Sequence, residues 1–281
     1  MTPRKIARYG WRPSLPHKPQ FTETNDADSA TIPVVDNRNN AAVPIFDQGQ
    51  LGSCTANALA RALMYALLKA GAPMFTPSRL MLYLCERMRE GTIDSDAGAM
   101  SIDGVHALQH NGVCTEELWP YDITKFTLSP PQSAWDDAAK HRLLQYWGME
   151  QRAGKVFYCL QQGLGIAYGF SVGESFESQT VADTGIVPIP GTDESIVGGH
   201  EVYLNGYTND LKKVHSQGAA LALPEWAKSI PWWGIVENSW GTSWGDKGSF
   251  YVPLSDILDP NRSSDLTSLR LVTPNPALAK P

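Results

Sequence analysis

Cysteine is scarce in this chain: Cys54, Cys85, Cys114 and Cys159 are the four in 281 residues. That is too few for a disulfide scaffold, and no Cys-x-x-Cys or Cys-x-x-His pair marks a zinc site. Cys85 and Cys159 fall in helical segments and read as small buried hydrophobes. No apolar run is long enough to cross a bilayer. The basic start, Arg4-Lys5-Ile6-Ala7-Arg8, is followed by Tyr9-Gly10-Trp11-Arg12-Pro13, where a signal peptide needs an apolar stretch. Positive charge is not in excess either. With 23 Lys and Arg against 29 Asp and Glu, the net charge of -6 gives no footprint for nucleic acid or an anionic membrane. The expected location is the cytoplasm, or a packaged or exported state reached without a signal peptide.

What is abundant is punctuation and aromatic mass: 24 Gly, 20 Pro, 9 Trp and 10 Tyr, the composition of many loops braced by large side chains. A hydrophobic content of 42% with 19% charged residues suits a globular chain of one large or two modest domains. Residues 1–40, rich in Pro, Asn and Asp, read as an extended arm. Leu59, Leu63, Ala66, Leu67 and Ala70 recur at helical spacing over Thr55–Ala70, ended by Gly71 and Pro73. Further helices are expected at about 79–90 after Pro77-Ser78, at 102–110 before Gly112, and near 135–142, 155–162 and 175–181. Residues 164–172, 201–207, 232–237 and 249–252 are β-branched and aromatic runs, as in an antiparallel sheet. Helices first and strands later imply an α+β fold of two lobes, helical over about 50–150 and β over about 151–258. Residues 208–230 read as a surface excursion, and 261–281 as a tail.

The chemistry is concentrated in Asp47-Gln48-Gly49-Gln50-Leu51-Gly52-Ser53-Cys54-Thr55-Ala56-Asn57-Ala58. A glutamine precedes a cysteine that opens a helix, where unpaired N–H groups and the helix dipole favour a thiolate. Far downstream stand Gly199-His200-Glu201-Val202 and Glu237-Asn238-Ser239-Trp240-Gly241. Cysteine, histidine and asparagine in that order are the parts of a thiol acyl-transfer site. His200 beside Cys54 would hold the proton as imidazolium. Asn238 would fix the ring, Trp240 would shield that bond, and Gln48 with the Cys54 N–H would receive the oxyanion.

Gln48-Gly49-x-x-Gly52-Ser53-Cys54, Gly199-His200 and Asn238-Ser239-Trp240-Gly241-x-x-Trp244-Gly245-x-x-Gly248 closely resemble the signature blocks of papain-like cysteine peptidases. Tyr9-Gly10-Trp11-Arg12-Pro13-Ser14-Leu15-Pro16, Gly112-Val113-Cys114-Thr115-Glu116-Glu117-Leu118-Trp119-Pro120-Tyr121 and Phe170-Ser171-Val172-x-x-Ser175-Phe176 are similar to its bacterial and phage-borne branch. The resemblance spans about residues 9–258. It implies a cleft between a helical left lobe and a sheet-rich or barrel-like right lobe, with a peptidase domain over 41–260. Cys54 is then the nucleophile, His200 the acid/base, Asn238 the orienting residue and Gln48 the oxyanion donor. Ala97-Gly98-Ala99 is similar to the cleft-edge segment that pairs with extended substrate, and Gly199 and Trp240 border the same site. No metal and no cofactor is implied, and the expected partner is a polypeptide substrate.

Some positions depart from the family pattern. Leu51 stands where many relatives have a bridged cysteine, and Thr55 where a tryptophan often follows the nucleophile. Glu201 replaces a small apolar residue. On a strand it should face away from His200, leaving the cleft undisturbed, and if buried it needs a partner. His106 and His110 read as an ordinary helix face rather than a metal pair. Asp94, Asp96 and Asp103 lack calcium-ligand spacing. The arm resembles a propeptide across the cleft. Typical helical pro-domains are longer and charge-rich, which favours a permanent part of the fold. Two other functions compete with peptide hydrolysis: a structural or binding role in an assembly such as a virion, and thioester-based transamidation or deamidation.

Overall fold

The computed structural model describes residues 9–27, 32–191 and 193–274, with side chains to 270. The helices are α1 Cys54–Ala70, α2 Arg79–Glu90, α3 Ser101–His110, α4 Gln132–Ala138, α5 Ala153–Gln161, α6 Gln179–Thr184, α7 Leu211–Val214 and α8 Leu254–Ile257. The strands are β1 Trp11–Arg12, β2 Phe21–Thr22, β3 Val35–Asp36, β4 Ala99–Met100 and β5 His141–Gly148. They continue with β6 Ile166–Gly173, β7 Ile196–Thr208, β8 Trp233–Glu237, β9 Ser249–Pro253 and β10 Ser263–Pro274.

Helix α1 is the axle of the molecule. It is buried on every face from Cys54 to Leu67, because alanines at 56, 58, 60, 62 and 66 let neighbours approach from all sides. Gly71 ends it in the left-handed conformation, φ 64°, its N–H bonding back to Leu67 and Leu68. On one side α2 and α3 pack against it around Leu59, Leu63, Met81 and Leu108. On the other it meets β7 and β10 of a large sheet ordered β2-β5-β10-β6-β7-β8-β9, with β3 also on β7. A second core of Tyr168, Phe176, Val202, Trp240, Trp244 and Phe250 fills the sheet-rich lobe. The architecture is the expected α+β papain-like one.

Three expectations need correcting. Residues 139–142 leave the helix read over 135–142: α4 stops at Ala138 and His141 opens β5. The sheet therefore begins ahead of the boundary placed near 150. Residues 263–274, read as tail, form β10, which is hydrogen-bonded between β5 and β6 in mid-sheet. Its Ser- and Asp-containing start has weak strand propensity, and pairing on both edges overrides it. The helix read over 175–181 breaks at Ser178, whose hydroxyl caps α6 by accepting from the Val181 N–H. Residues 275–281 of the expected tail lie outside the described residues.

Leu211, Leu221 and Ala227 anchor the 208–230 excursion in a small core of its own with Trp233 and Tyr251. All four cysteines are free and buried. Among the described residues no helix is long and apolar enough to cross a membrane, and no group of metal-ligating side chains assembles.

Candidate active site

The loop before α1 is held from several sides. Gly49 takes φ 60°, which only glycine adopts without strain, and its N–H donates to Asp47. The Gly52 N–H donates to both Asp96 oxygens at 3.1 Å, and Tyr83 donates to the same carboxylate. Asp96 is thus a structural brace. Arg79 is clamped bidentately by Glu116 at 2.9 and 2.7 Å and donates to Asp47 O and Asn57 Oδ1. Its guanidinium stacks over Tyr121, 4.0 Å from the ring centre.

Gln48 is fully buried. Its Oε1 accepts from Ser239 Oγ at 2.7 Å and its Nε2 donates to Leu51 O at 2.9 Å. The Gln48 N–H donates to Ser239 O at 2.8 Å, joining the loop to the segment that carries Asn238. Asn238 Oδ1 lies 2.8 Å from His200 Nε2. Trp240 covers this pair, 5.1 Å from the imidazole centre and 31° from its plane. His200 Nδ1 has no hydrogen-bond partner among the described residues. The backbone N–H of Glu201, the next residue, faces the sulfur of Cys54. The fold therefore gathers Gln48, Cys54, His200 and Asn238 in one place.

The chain's own arm fills the groove there. β1 pairs in parallel with β4, and the Ala99 N–H donates to Gly10 O at 2.8 Å. The Gly10 N–H also faces the Cys54 sulfur. Tyr9 packs edge-on against His200 at 5.9 Å and lies 6.2 Å from Trp240. Trp11 crosses Gly169 and Gly199 so closely that a Cβ at either would overlap it, at 1.8 and 2.5 Å. Of the candidate substrate contacts, Gly98, Ala99, Gly199 and Trp240 therefore meet the arm.

Burial decides the protonation states of this closed form. It pushes the Cys54 thiol up to about 12, aided by the nearby Glu201 and Glu86 carboxyls and against the Glu201 and Gly10 N–H groups. Burial also pushes the His200 imidazole down to about 4, opposed by its bond to Asn238. Cysteine and histidine are both neutral beneath the arm, not the ion pair expected from the helix N-terminus alone.

Glu201 does face away from His200, yet that face is part of the groove. It pairs with Gly169 across the β6–β7 ladder and lies two residues from Gly199, so its side chain shares the face over which Trp11 lies. Ser101 Oγ donates to Glu201 Oε2, while Oε1 has no partner among the described residues. Its carboxyl sits well above the ordinary range through burial.

Glu86 is a second buried acid. It accepts from Thr55 Oγ at 2.7 Å, so Thr55 has a partner that a tryptophan there would lack. Burial raises Glu86 to about 8 from an ordinary 4.5. A folded value above the unfolded one means its contribution to stability is whole below about 4.5 and lost as pH rises through 8. Glu86→Gln should abolish that loss, a difference on the order of a few kcal/mol. Urea unfolding of both proteins at pH 5 and pH 9 checks it; parallel curves at both pH values would count against a buried neutral acid.

Sequence reasoning missed that Asp265 Oδ2 accepts from Trp11 Nε1, that Asp96 and Tyr121 brace the loop before α1, and that Ser239 Oγ holds Gln48, because each of these contacts is remote in sequence. The Tyr9-Gly10-Trp11 segment was the available signal for the arm.

The comparisons agree with this geometry. Residues 32–257 match the family model described as papain family cysteine protease. The chain is 36% identical over 241 residues to an uncharacterized peptidase C1-like protein of Acanthamoeba polyphaga mimivirus, covering 83% of this chain and 71% of that protein. It superposes on the crystal structure of xylellain, a cysteine protease from Xylella fastidiosa, with TM-score 0.78 and 28% identity. The match covers 96% of this chain and 98% of that one. A procathepsin B from Trypanosoma congolense shares the fold at TM-score 0.65 and 14% identity, over 93% of this chain and 86% of that one. The chain belongs to the papain family of cysteine proteases and is a cysteine-type peptidase.

Proposed function

We propose that this peptidase cuts extended polypeptides internally through Cys54, and that residues 1–40 act as a propeptide-like cover over its groove. The observation that carries the reading is the His200–Asn238 bond of 2.8 Å beneath Trp240, with the adjacent Glu201 N–H against the Cys54 sulfur. With the arm displaced, water reaches the site and the burial penalty on both charges falls. The proton then moves from sulfur to His200 Nδ1, and the thiolate gains the α1 N-terminus.

The sulfur attacks the substrate carbonyl, and the oxyanion accepts from the Cys54 N–H and the second Gln48 Nε2 hydrogen. Losing such a donor costs about 10²–10³ in turnover. As the C–N bond breaks, His200 gives its proton to the leaving amine and a thioester remains. Water, deprotonated by His200, attacks the thioester, releasing the acid product and restoring the thiol. Asn238 keeps the imidazole in one tautomer and ring plane throughout. Ala97, Gly98, Ala99 and Gly199 would offer backbone to the substrate where the arm now lies.

The full burial of Cys54 under the arm favours one other reading, a permanently closed chain with a structural or binding role. An epoxide-type thiol inhibitor and a peptide library separate the two under reducing conditions. Wild type is expected to be labelled and to cleave internal bonds, and Cys54→Ala to do neither. A folded wild type that stays unlabelled and inert would favour the structural role; labelling with acyl transfer to amines but no hydrolysis would favour transamidation.

A further inference from the structure

The two walls of the groove are joined through a carboxylate. One wall is the loop leading into Cys54, where a Cβ on Gly10 would fall 1.7 Å from Gly52 O. The other is residues 92–98, a stretch without helix or strand that ends beside Ala99, whose N–H donates to Gly10 O. All four cysteines are free and buried, so no disulfide ties these walls. Asp96 does so instead. Both its oxygens accept from the Gly52 N–H at 3.1 Å, and a Cβ on Gly52 would stand 3.0 Å from Oδ1. On its other side Asp96 accepts from the Tyr83 hydroxyl, and that hydroxyl accepts from the Gly98 N–H at 3.0 Å.

Tyr83 is itself held. It is wholly buried, and the guanidinium of Arg87, one turn further along α2, stacks 4.2 Å from its ring centre. Arg87 donates to Ile93 O at 2.7 Å, to Ser95 O at 3.2 Å and to Phe126 O. Burial, aided by Asp96, pushes the Tyr83 phenol well above its ordinary range, so it stays a donor. Helix α2 thus fixes a stretch that has no regular structure of its own.

An extended peptide needs both walls at once. Its backbone pairs with Ala99 on one side while its carbonyl meets the Cys54 loop on the other. Such donors act together only when their separation is set beforehand, since ordering a loose loop on binding costs affinity. A reagent that touches Cys54 alone needs only one wall.

We infer that Asp96 and Tyr83 are positioning residues for peptide hydrolysis, a clamp that holds the 92–98 wall at a fixed distance from the Cys54 loop. The inference rests on the peptidase reading, and both residues act through Gly52 and Gly98 rather than on substrate.

Two thiol reagents on the full-length chain test it: iodoacetamide, which needs only the sulfur, and a peptidyl epoxide with an extended backbone. Both must wait for the arm to lift, so the ratio of their second-order rates reports the groove alone. Tyr83→Phe should lower the epoxide rate about tenfold relative to iodoacetamide. Asp96→Ala should lower it at least as far, and Asp96→Asn, which keeps an oxygen for Gly52, should recover part of the loss. The double Tyr83→Phe, Asp96→Ala chain should be no worse than Asp96→Ala alone, because the two act as one unit. In a Gly10→Ala background, Tyr83→Phe should raise KM for a long peptide about tenfold with little change in kcat. An unchanged rate ratio in a Tyr83→Phe chain with wild-type circular dichroism, or single losses that add in the double variant, overturns the clamp. A ratio that falls as expected in chains that hydrolyse no peptide would overturn the peptidase reading and leave the clamp standing.

Discussion

A Gly10→Ala chain should have its Cys54 alkylated by iodoacetamide at pH 7 at least roughly 10²-fold faster than wild type. The cause is steric. A Cβ on residue 10 would stand 1.7 Å from Gly52 O and 2.4 Å from Gly52 C, both backbone atoms of a loop held by Asp96. Neither side can yield, so the arm must leave. Gly98 presses from the opposite wall, where an added Cβ would lie 1.9 Å from Gly10 O.

The size of the effect follows from the thiol. Beneath the arm it is pushed up to about 12 by burial, a thiolate fraction on the order of 10⁻⁵ at pH 7. At a hydrated helix N-terminus beside an imidazolium, thiol pKa values are roughly 3.5–7.5, papain being one of the known cases. Gly98→Ala should behave alike. Mass spectrometry of the labelled peptide locates the reaction at Cys54. A wild-type rate in a folded Gly10→Ala chain would mean that the arm does not gate the thiol.

Removing Arg61 should be the most damaging single loss to stability. Its Nη1 lies 3.0 Å from Glu237 Oε1, and both side chains are almost wholly buried, at 2% and 0% exposure. Asn205 Nδ2 holds the other Glu237 oxygen at 2.8 Å, and Arg61 Nη2 donates to Pro44 O at 2.8 Å. The pair links α1, which carries Cys54, to β8, which leads into Asn238. Arg61→Met would strand a carboxylate without a cation, at a cost of about 3–5 kcal/mol. For a chain of this size that corresponds to roughly 6–20 °C in Tm. Circular-dichroism melting reads it directly. Adding Glu237→Gln should recover at least half of the loss, because no charge is then left unpaired. A drop within about 2 °C would show that water or local rearrangement solvates Glu237.

Much of the site was readable before any coordinates. Gly49 and Gly52 before a helix-opening Cys54 describe a turn with few alternatives, and the Ala- and Leu-rich run over 55–70 is helical by propensity and spacing. Asn238-Ser239-Trp240-Gly241 likewise carries a turn signal locally, with Gly241 at φ 72°. The strand β10 was hidden because its residues become a strand only between β5 and β6, both far earlier in the chain. Glu201 was assigned to the correct strand face. That this face lies under Trp11 depended on where the arm runs.

The sequence alone determined the order and kind of the reactive groups, the helix behind the cysteine and the α+β division, since these depend on neighbours within a few residues. Tertiary structure decided that Gly10 closes over Cys54, that Asp265 turns towards Trp11, and that sulfur and imidazole are both neutral in the closed form. Each of these is set by burial and by long-range contact, and desolvation reverses the charge state that the helix N-terminus would otherwise favour.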